Sequence, residues 1–463
     1  MVRQAYGRGR AAGMVAAALM AFAAAAGAGV RGAEPKADGP AKLICASLWG
    51  DGGTEQFVGA GVQPDGTIVL AGNRQMSSLR AGGGSGFLLT LKLSGAAVTA
   101  RKPLRLSGQV LGMKLAPDGS VCLAVRDAGV FMVRADSSRV VRQCPVRDVI
   151  DFGVDGNGEL VVLHGQNMTR FDRTWRKRLW TASWHTHGGN RPGGVAVCTR
   201  TGVATVVGYG MTHTGREPWK DPYAYGFSRA GKEIWKLWDP KPGRQVSSQH
   251  GGNGLMADTT GDFAAAGPDG KLYLSLYADG GNSVCTRDPA DPDKPIDPQV
   301  YNGVYQKGPG HGFKGASKTS VAFRVDAATG RLEKGTWMCA WLTPARANGL
   351  GMDALAADEA GRVYLVGGSA SGCPEKAPWY PYETGYKGGG FLAIFDAGFA
   401  MLQCGMFQGT GLQAVAVGGG LVVVAGHAKP AGEDAVPVHN PVQPKPGGGE
   451  ADGYFAIFQT ARP

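Results

Sequence analysis

His187-Gly-Gly-Asn190 and His250-Gly-Gly-Asn253 are two copies of one short loop, and Asp51-Gly-Gly-Thr54 is a third with a carboxylate in the histidine's place. Imidazoles repeated in this way can hold a transition metal through a neutral ring nitrogen, or pass a proton near neutral pH. His185, His213 and His427 join them if the chain brings these loops to one rim. A metal-assisted hydrolase or lyase is the activity such a cluster would serve, with a divalent metal as its cofactor. The competing explanation is inheritance: a turn duplicated with its repeat, its ring bonded to loop carbonyls.

Two other groups of residues compete for the same rim. Trp184, Trp219, Tyr223, Trp379, Tyr380 and Tyr382 fall in connecting segments, several beside proline. Flat rings held rigidly can stack on sugars or on peptide prolines, or they can pack the connections onto the scaffold. Asp288-Pro-Ala-Asp-Pro-Asp293, with Asp297 nearby, offers carboxylates for calcium but lacks the glycine and glutamate of an EF-hand, and a solvated acidic loop is the favoured reading. The sequence holds no Gly-x-Ser-x-Gly elbow, no His-Glu-x-x-His, no phosphate loop and no dinucleotide fingerprint after a strand.

What must position these residues is a repeat. Gly59-Ala-Gly-Val-Gln-Pro-Asp-Gly-Thr-Ile-Val-Leu-Ala-Gly72 recurs in degenerate form at 113–125, 152–163, 195–207, 263–276, 355–367 and 415–425. Each copy is a strand of small residues, a tight turn and an apolar strand. A third strand with an aromatic signature follows, as in Phe391-Leu-Ala-Ile-Phe395, and then a fourth. Seven units of four antiparallel strands predict an all-β, seven-bladed propeller. The seventh unit ends at its third strand, 454–459, and Lys42-Leu-Ile-Cys-Ala-Ser-Leu-Trp49 is a spare strand able to complete it and close the ring.

Gly361-Arg-Val-Tyr-Leu-Val-Gly-Gly368 followed by Gly388-Gly-Gly-Phe-Leu-Ala-Ile-Phe395 resembles the bacterial SBBP-type beta-propeller repeat. The resemblance covers nearly the whole chain beyond the leader and is strongest in units one, six and seven. Units two and three depart from it, lacking the long connection between second and third strands. It implies a propeller and an exported setting, and little about chemistry.

Strand order assigns every connection to one of two faces. Links from first to second and from third to fourth strand are short turns such as Pro64-Asp-Gly66 and share one face. The insertions 73–85, 208–222, 239–254, 278–317, 368–387 and 426–452 fall on the other, and all eight histidines fall on that face or its edge. Binding residues concentrate on long connections carried by a rigid scaffold, so this long-loop face is expected to be the working one.

Residues 1–33 read as a signal peptide: Arg3, Arg8 and Arg10 precede an apolar run rich in alanine. A short leader, 34–41, then precedes a single propeller domain, 42–463. The chain carries a formal charge of +11. Much of the excess lies between Arg101 and Arg178, where a solvated outer edge is expected rather than a nucleic-acid surface. The eight cysteines lack metal or disulfide spacing; Cys285 and Cys373, both in long connections, are the best pair for one bridge. The expected function is that of an exported binding or scaffold module, periplasmic or extracellular and monomeric, taking a glycan or a protein partner on its long-loop face.

Overall fold

The computed structural model describes residues 39–80, 83–101, 103–136, 139–184, 190–214, 217–238, 258–278, 284–291, 294–305, 319–343, 346–381, 388–429 and 436–460. The expected signal peptide lies outside them. Seven antiparallel sheets form seven blades, with inner strands Thr54–Val62, Val110–Leu115, Val149–Val154, Arg191–Val197, Thr259–Ala266, Leu350–Ala357 and Thr410–Gly418. Among the described residues no helix is long and apolar enough to cross a membrane.

Blade seven closes the ring. Lys42–Trp49 runs antiparallel to Asp452–Gln459, from Lys42↔Gln459 to Trp49↔Gly453. Among the described residues the outer strand of this blade is thus the first element and its third strand the last.

The core lies between blades rather than within them. Seven clusters of buried side chains each join two neighbours. Phe57, Leu70 and Phe87 of blade one meet Val423, Ala425 and Phe455 of blade seven. This is why second strands are apolar on both sides: Ile68, Val69, Leu70 and Ala71 are all fully buried, alternate residues serving opposite junctions.

The short turns are built as the sequence indicates. Asp65 and Asp118 accept the amide N–H two residues on, at 2.9 Å in each case. Gly66 and Gly119 then turn at φ of 82° and 80°, which side chains disfavour.

Four features differ from the expectation. Segment 208–222 is no loop: Ala204–Thr214 and Glu217–Phe227 pair as one long hairpin up to Thr214↔Glu217. The described parts of three insertions fold back along the outer strand of their own blade. Tyr301–Tyr305 pairs in parallel with Leu332–Met338 in blade five. Lys376 bridges Cys404 in blade six, and His439 bridges Ala46 in blade seven. An outer strand leaves a row of unpaired backbone groups, and these returns satisfy part of it. Much of the long-loop decoration is thus edge cover.

Arg170, expected at a solvated edge, is fully buried. Its guanidinium pairs with Glu159 at 2.7 Å and with Asp155, and donates to the Gly202 carbonyl of the next blade at 2.6 Å. Finally, Cys285 is buried away from Cys373, whose Sγ lies 3.4 Å from that of Cys404. The backbone bridge at Lys376 brings that pair together, so the expected pairing gives way to a different one.

Candidate functional site

Each inner strand carries a β-bulge at the same place, the fifth residue before its short turn begins. The extra residues are Val58, Leu111, Ile150, Gly193, Asp262, Asp353 and Gln413, in blades one to seven. A bulge leaves one residue unpaired and re-aims its side chain. All seven are partly or fully exposed, while the residue before six of them is in the packed interior or in close backbone contact. Crowding explains the device. Near the axis the strands approach backbone to backbone, and a Cβ on Gly193 would strike the carbonyls of Gly261 and Asp262. The result is a ring of extra residues at one register of the seven inner strands, in which Gly193 brings no side chain and Val58 and Leu111 pack against their blade junctions.

The ring is chemically lopsided. Val58, Leu111 and Ile150 make one arc apolar, and Asp262 and Asp353 make the opposite arc acidic. Burial pushes the Asp262 carboxyl up to about 6, although the Thr260 hydroxyl donates to it at 2.7 Å. Asp353, although its residue is exposed overall, is also pushed up to about 6, by burial of its carboxyl first and then by the charge of Asp262. Among the described residues no lysine or arginine pairs with either. Beside the apolar arc, by contrast, Asp151 is already neutralised. It pairs with Lys114 at 2.8 Å and accepts the Val195 N–H at 2.8 Å, and Lys114 sits 5.6 Å above the Phe152 ring. The free carboxylates can therefore accept hydrogen bonds from a cationic or hydroxyl-rich group, or exchange a proton in mildly acidic solution.

The aromatic candidates occupy other places. Trp184 and Tyr223 are 5% and 1% exposed in the junction of blades three and four. Tyr223 donates its hydroxyl to Asn190 and packs edge-on against Tyr225 at 5.6 Å. Neither ring offers a face to a ligand, because the junction needs both for its core. Trp379 donates Nε1 to the Ala41 carbonyl at 2.7 Å, with Phe458 at 4.8 Å and Phe407 at 5.8 Å. Tyr380 stands edge-on to Phe407 at 5.9 Å, and burial raises its phenol to about 12. These two rings pin the blade-six connection across to blade seven, the packing role rather than the stacking one. Trp219 lies in the strand Glu217–Phe227, its side chain outside the described set, and Tyr382 lies outside the described residues.

His185, His187 and His250 also lie outside the described residues. His213 is described in its backbone alone, paired with Pro218. His427, in the second strand of blade seven, is driven down to about 4 by burial, with Lys429 adding to the effect, and its buried Nδ1 lacks a hydrogen-bond partner. Among the described residues no three His, Cys, Asp or Glu side chains are gathered to hold a metal. The acidic segment is committed to its own turns. Asp288 accepts the N–H groups of Ala290 and Asp291, Asp291 pairs with Lys294 at 2.9 Å, and Asp297 accepts the Gln299 N–H. Those carboxylates cap turns instead of assembling a calcium loop.

The bulge ring escapes a reading of one repeat at a time. Stacking the seven copies on their turns exposes it, because Asp262 and Asp353 are charged residues in strands otherwise small or apolar. The chain matches no family model and no curated protein.

Proposed function

We propose that the chain is an exported binding or scaffold module that grips its ligand at the long-loop mouth of the axial funnel. The observation that carries this reading is the set of seven bulges at one register, whose two carboxylates are those of blades five and six. A glycan or an extended protein segment fits that chemistry. Its hydroxyl or ammonium donors would meet Asp262 and Asp353, and its apolar side would lie over the exposed Ile150. The SBBP-type resemblance in units one, six and seven supports an exported setting, and the apolar leader supports it independently.

The test is ligand capture on arrays of glycans and of basic peptides, comparing the native chain with Asp262→Asn/Asp353→Asn. Loss of capture is expected with a melting temperature above pH 7 no lower than that of the native chain. Undiminished capture by the double variant would remove the funnel mouth from consideration.

A further inference from the structure

The junction of blades seven and one holds two buried carboxylates, Glu55 and Asp452, with no lysine or arginine paired to either among the described residues. Glu55 is the extra residue of a second bulge in the first inner strand, between the pairs Thr54↔Met76 and Gln56↔Asn73. It is fully buried, and neither carboxylate oxygen has a hydrogen-bond partner. Asp452 begins the third strand of blade seven and is fully buried too. Its Oδ1 accepts the Gly447 N–H at 3.0 Å, while Oδ2 has no partner. The two groups are neighbours. A Cβ built on Gly50 would lie 2.8 Å from Glu55 Oε2 and closer still to Asp452 Oδ1.

Glycine roofs the site from both sides. Gly50, Gly52 and Gly53 enter blade one, and Gly447, Gly448 and Gly449 lead into the last strand of the ring. A side chain at Gly449 would strike the Gly53 carbonyl, and one at Gly447 would come within 2.6 Å of the Gly50 carbonyl oxygen. The two loops lie backbone to backbone beside the carboxylates. Asp51 is a third carboxylate beside Glu55, close enough for its charge to act on the Glu55 carboxyl, and is itself engaged by Arg74 at 3.1 Å.

Adjacent buried carboxylates without donors are costly, and proteins keep them where a cation completes the site. We infer that this junction binds a hard divalent cation, best matched by calcium, through Glu55, Asp452 and the carbonyls of the two glycine loops. Calcium takes six to eight oxygens and accepts carbonyls and water freely, whereas two carboxylates are too few for a transition-metal site built from side chains. The ion would join the start of the folded chain to its end and fasten the ring at its only discontinuous blade. The site is separate from the funnel mouth and stands or falls without it.

The experiment uses the full chain stripped with a chelator. Calcium is added up to about 10 mM, above the roughly 0.1–1 mM dissociation constants of extracellular calcium modules, with magnesium in parallel. Melting temperature and retained metal are both measured. Calcium should raise the melting temperature saturably by mass action, more than magnesium does. Glu55→Gln and Asp452→Asn should each abolish that rise, and Glu55→Gln without calcium should melt no lower than the stripped native chain. A native chain that neither shifts nor retains calcium would overturn the inference, as would a full shift in the double variant. Because the native chain alone decides between these outcomes, a variant that fails to fold leaves the test intact.

Discussion

Asp262 and Asp353 stand at the same register in neighbouring inner strands, each the extra residue of its bulge, and the charge on the first raises the proton affinity of the second. Two like charges at one register of neighbouring strands favour keeping a proton on one of them. The pair is therefore the part of the mouth whose charge responds to mild acid.

Its effect on stability has a definite sign. Both groups titrate near 6 in the folded chain and near 3.8 when free, so the native state holds protons that the unfolded chain has released. Their contribution is most favourable below about pH 4 and is lost as pH rises through 6. His427 works the other way: lowered from 6.5 to about 4, it supports the fold above pH 6.5 and loses that support as pH falls. The two slopes oppose each other in the native protein. Melting temperatures of Asp262→Asn/Asp353→Asn should therefore fall more steeply than the native values between pH 6.5 and 4. Parallel profiles would show that the aspartates titrate as free carboxylates.

Trp379 is expected to act on the ring's closure and not on its ligand. Trp379→Ala removes the Ala41 hydrogen bond and the contacts with Phe407 and Phe458, at a cost of about 2–3 kcal/mol for this half-buried ring. Trp379→Phe should restore most of the packing and leave a deficit of about 1 kcal/mol from the unmet carbonyl. Denaturant titration reads both values, and hydrogen exchange should localise the loosening to residues 41–46. A loss of ligand capture at unchanged stability would return the ring to the binding face.

Cys373 and Cys404 are placed to form a disulfide. Incubation with a small-molecule disulfide should transfer two hydrogens from the pair to the reagent, giving one new S–S bond and two released thiols. Cys373 is the attacking group, since burial holds the Cys404 thiol well above its ordinary value. Titratable thiols of the unfolded chain should fall from eight to six, and Cys373→Ser should prevent the change. The bridge would stabilise the fold by about 3 kcal/mol by the loop-closure argument. A count that stays at eight would mean the pair cannot reach bonding geometry.

The propeller was legible because its information is local and repeated. Pro64-Asp-Gly66 specifies a turn by itself, and the apolar run Ile68–Leu70 reports burial on both sides. Closure was legible for a related reason: a seventh unit without a fourth strand, and a strand at 42–49 without a unit. The site was harder to see. A bulge is one extra residue in one strand, and only comparison across copies separates Asp353 from an ordinary turn approach. Proline-flanked aromatics such as Trp379 resemble ligand platforms, yet the demand they meet is tertiary, the bare edge and open junction of the neighbouring blade. Glu55 and Asp452 are far apart in the chain and share no motif, so nothing short of the folded ring brings them together.

The pairing of Lys42–Trp49 with Asp452–Gln459 also orders events in time. A polypeptide leaves the ribosome amino end first, so the former is the earliest strand of the ring to emerge and its partner the latest. Blades one to six can each settle as they appear, but the circle stays unlatched until residues 452–459 have emerged. Throughout that interval the waiting strand keeps a hydrogen-bonding edge unclaimed, the condition in which a chaperone or a translocation channel can still take hold of it.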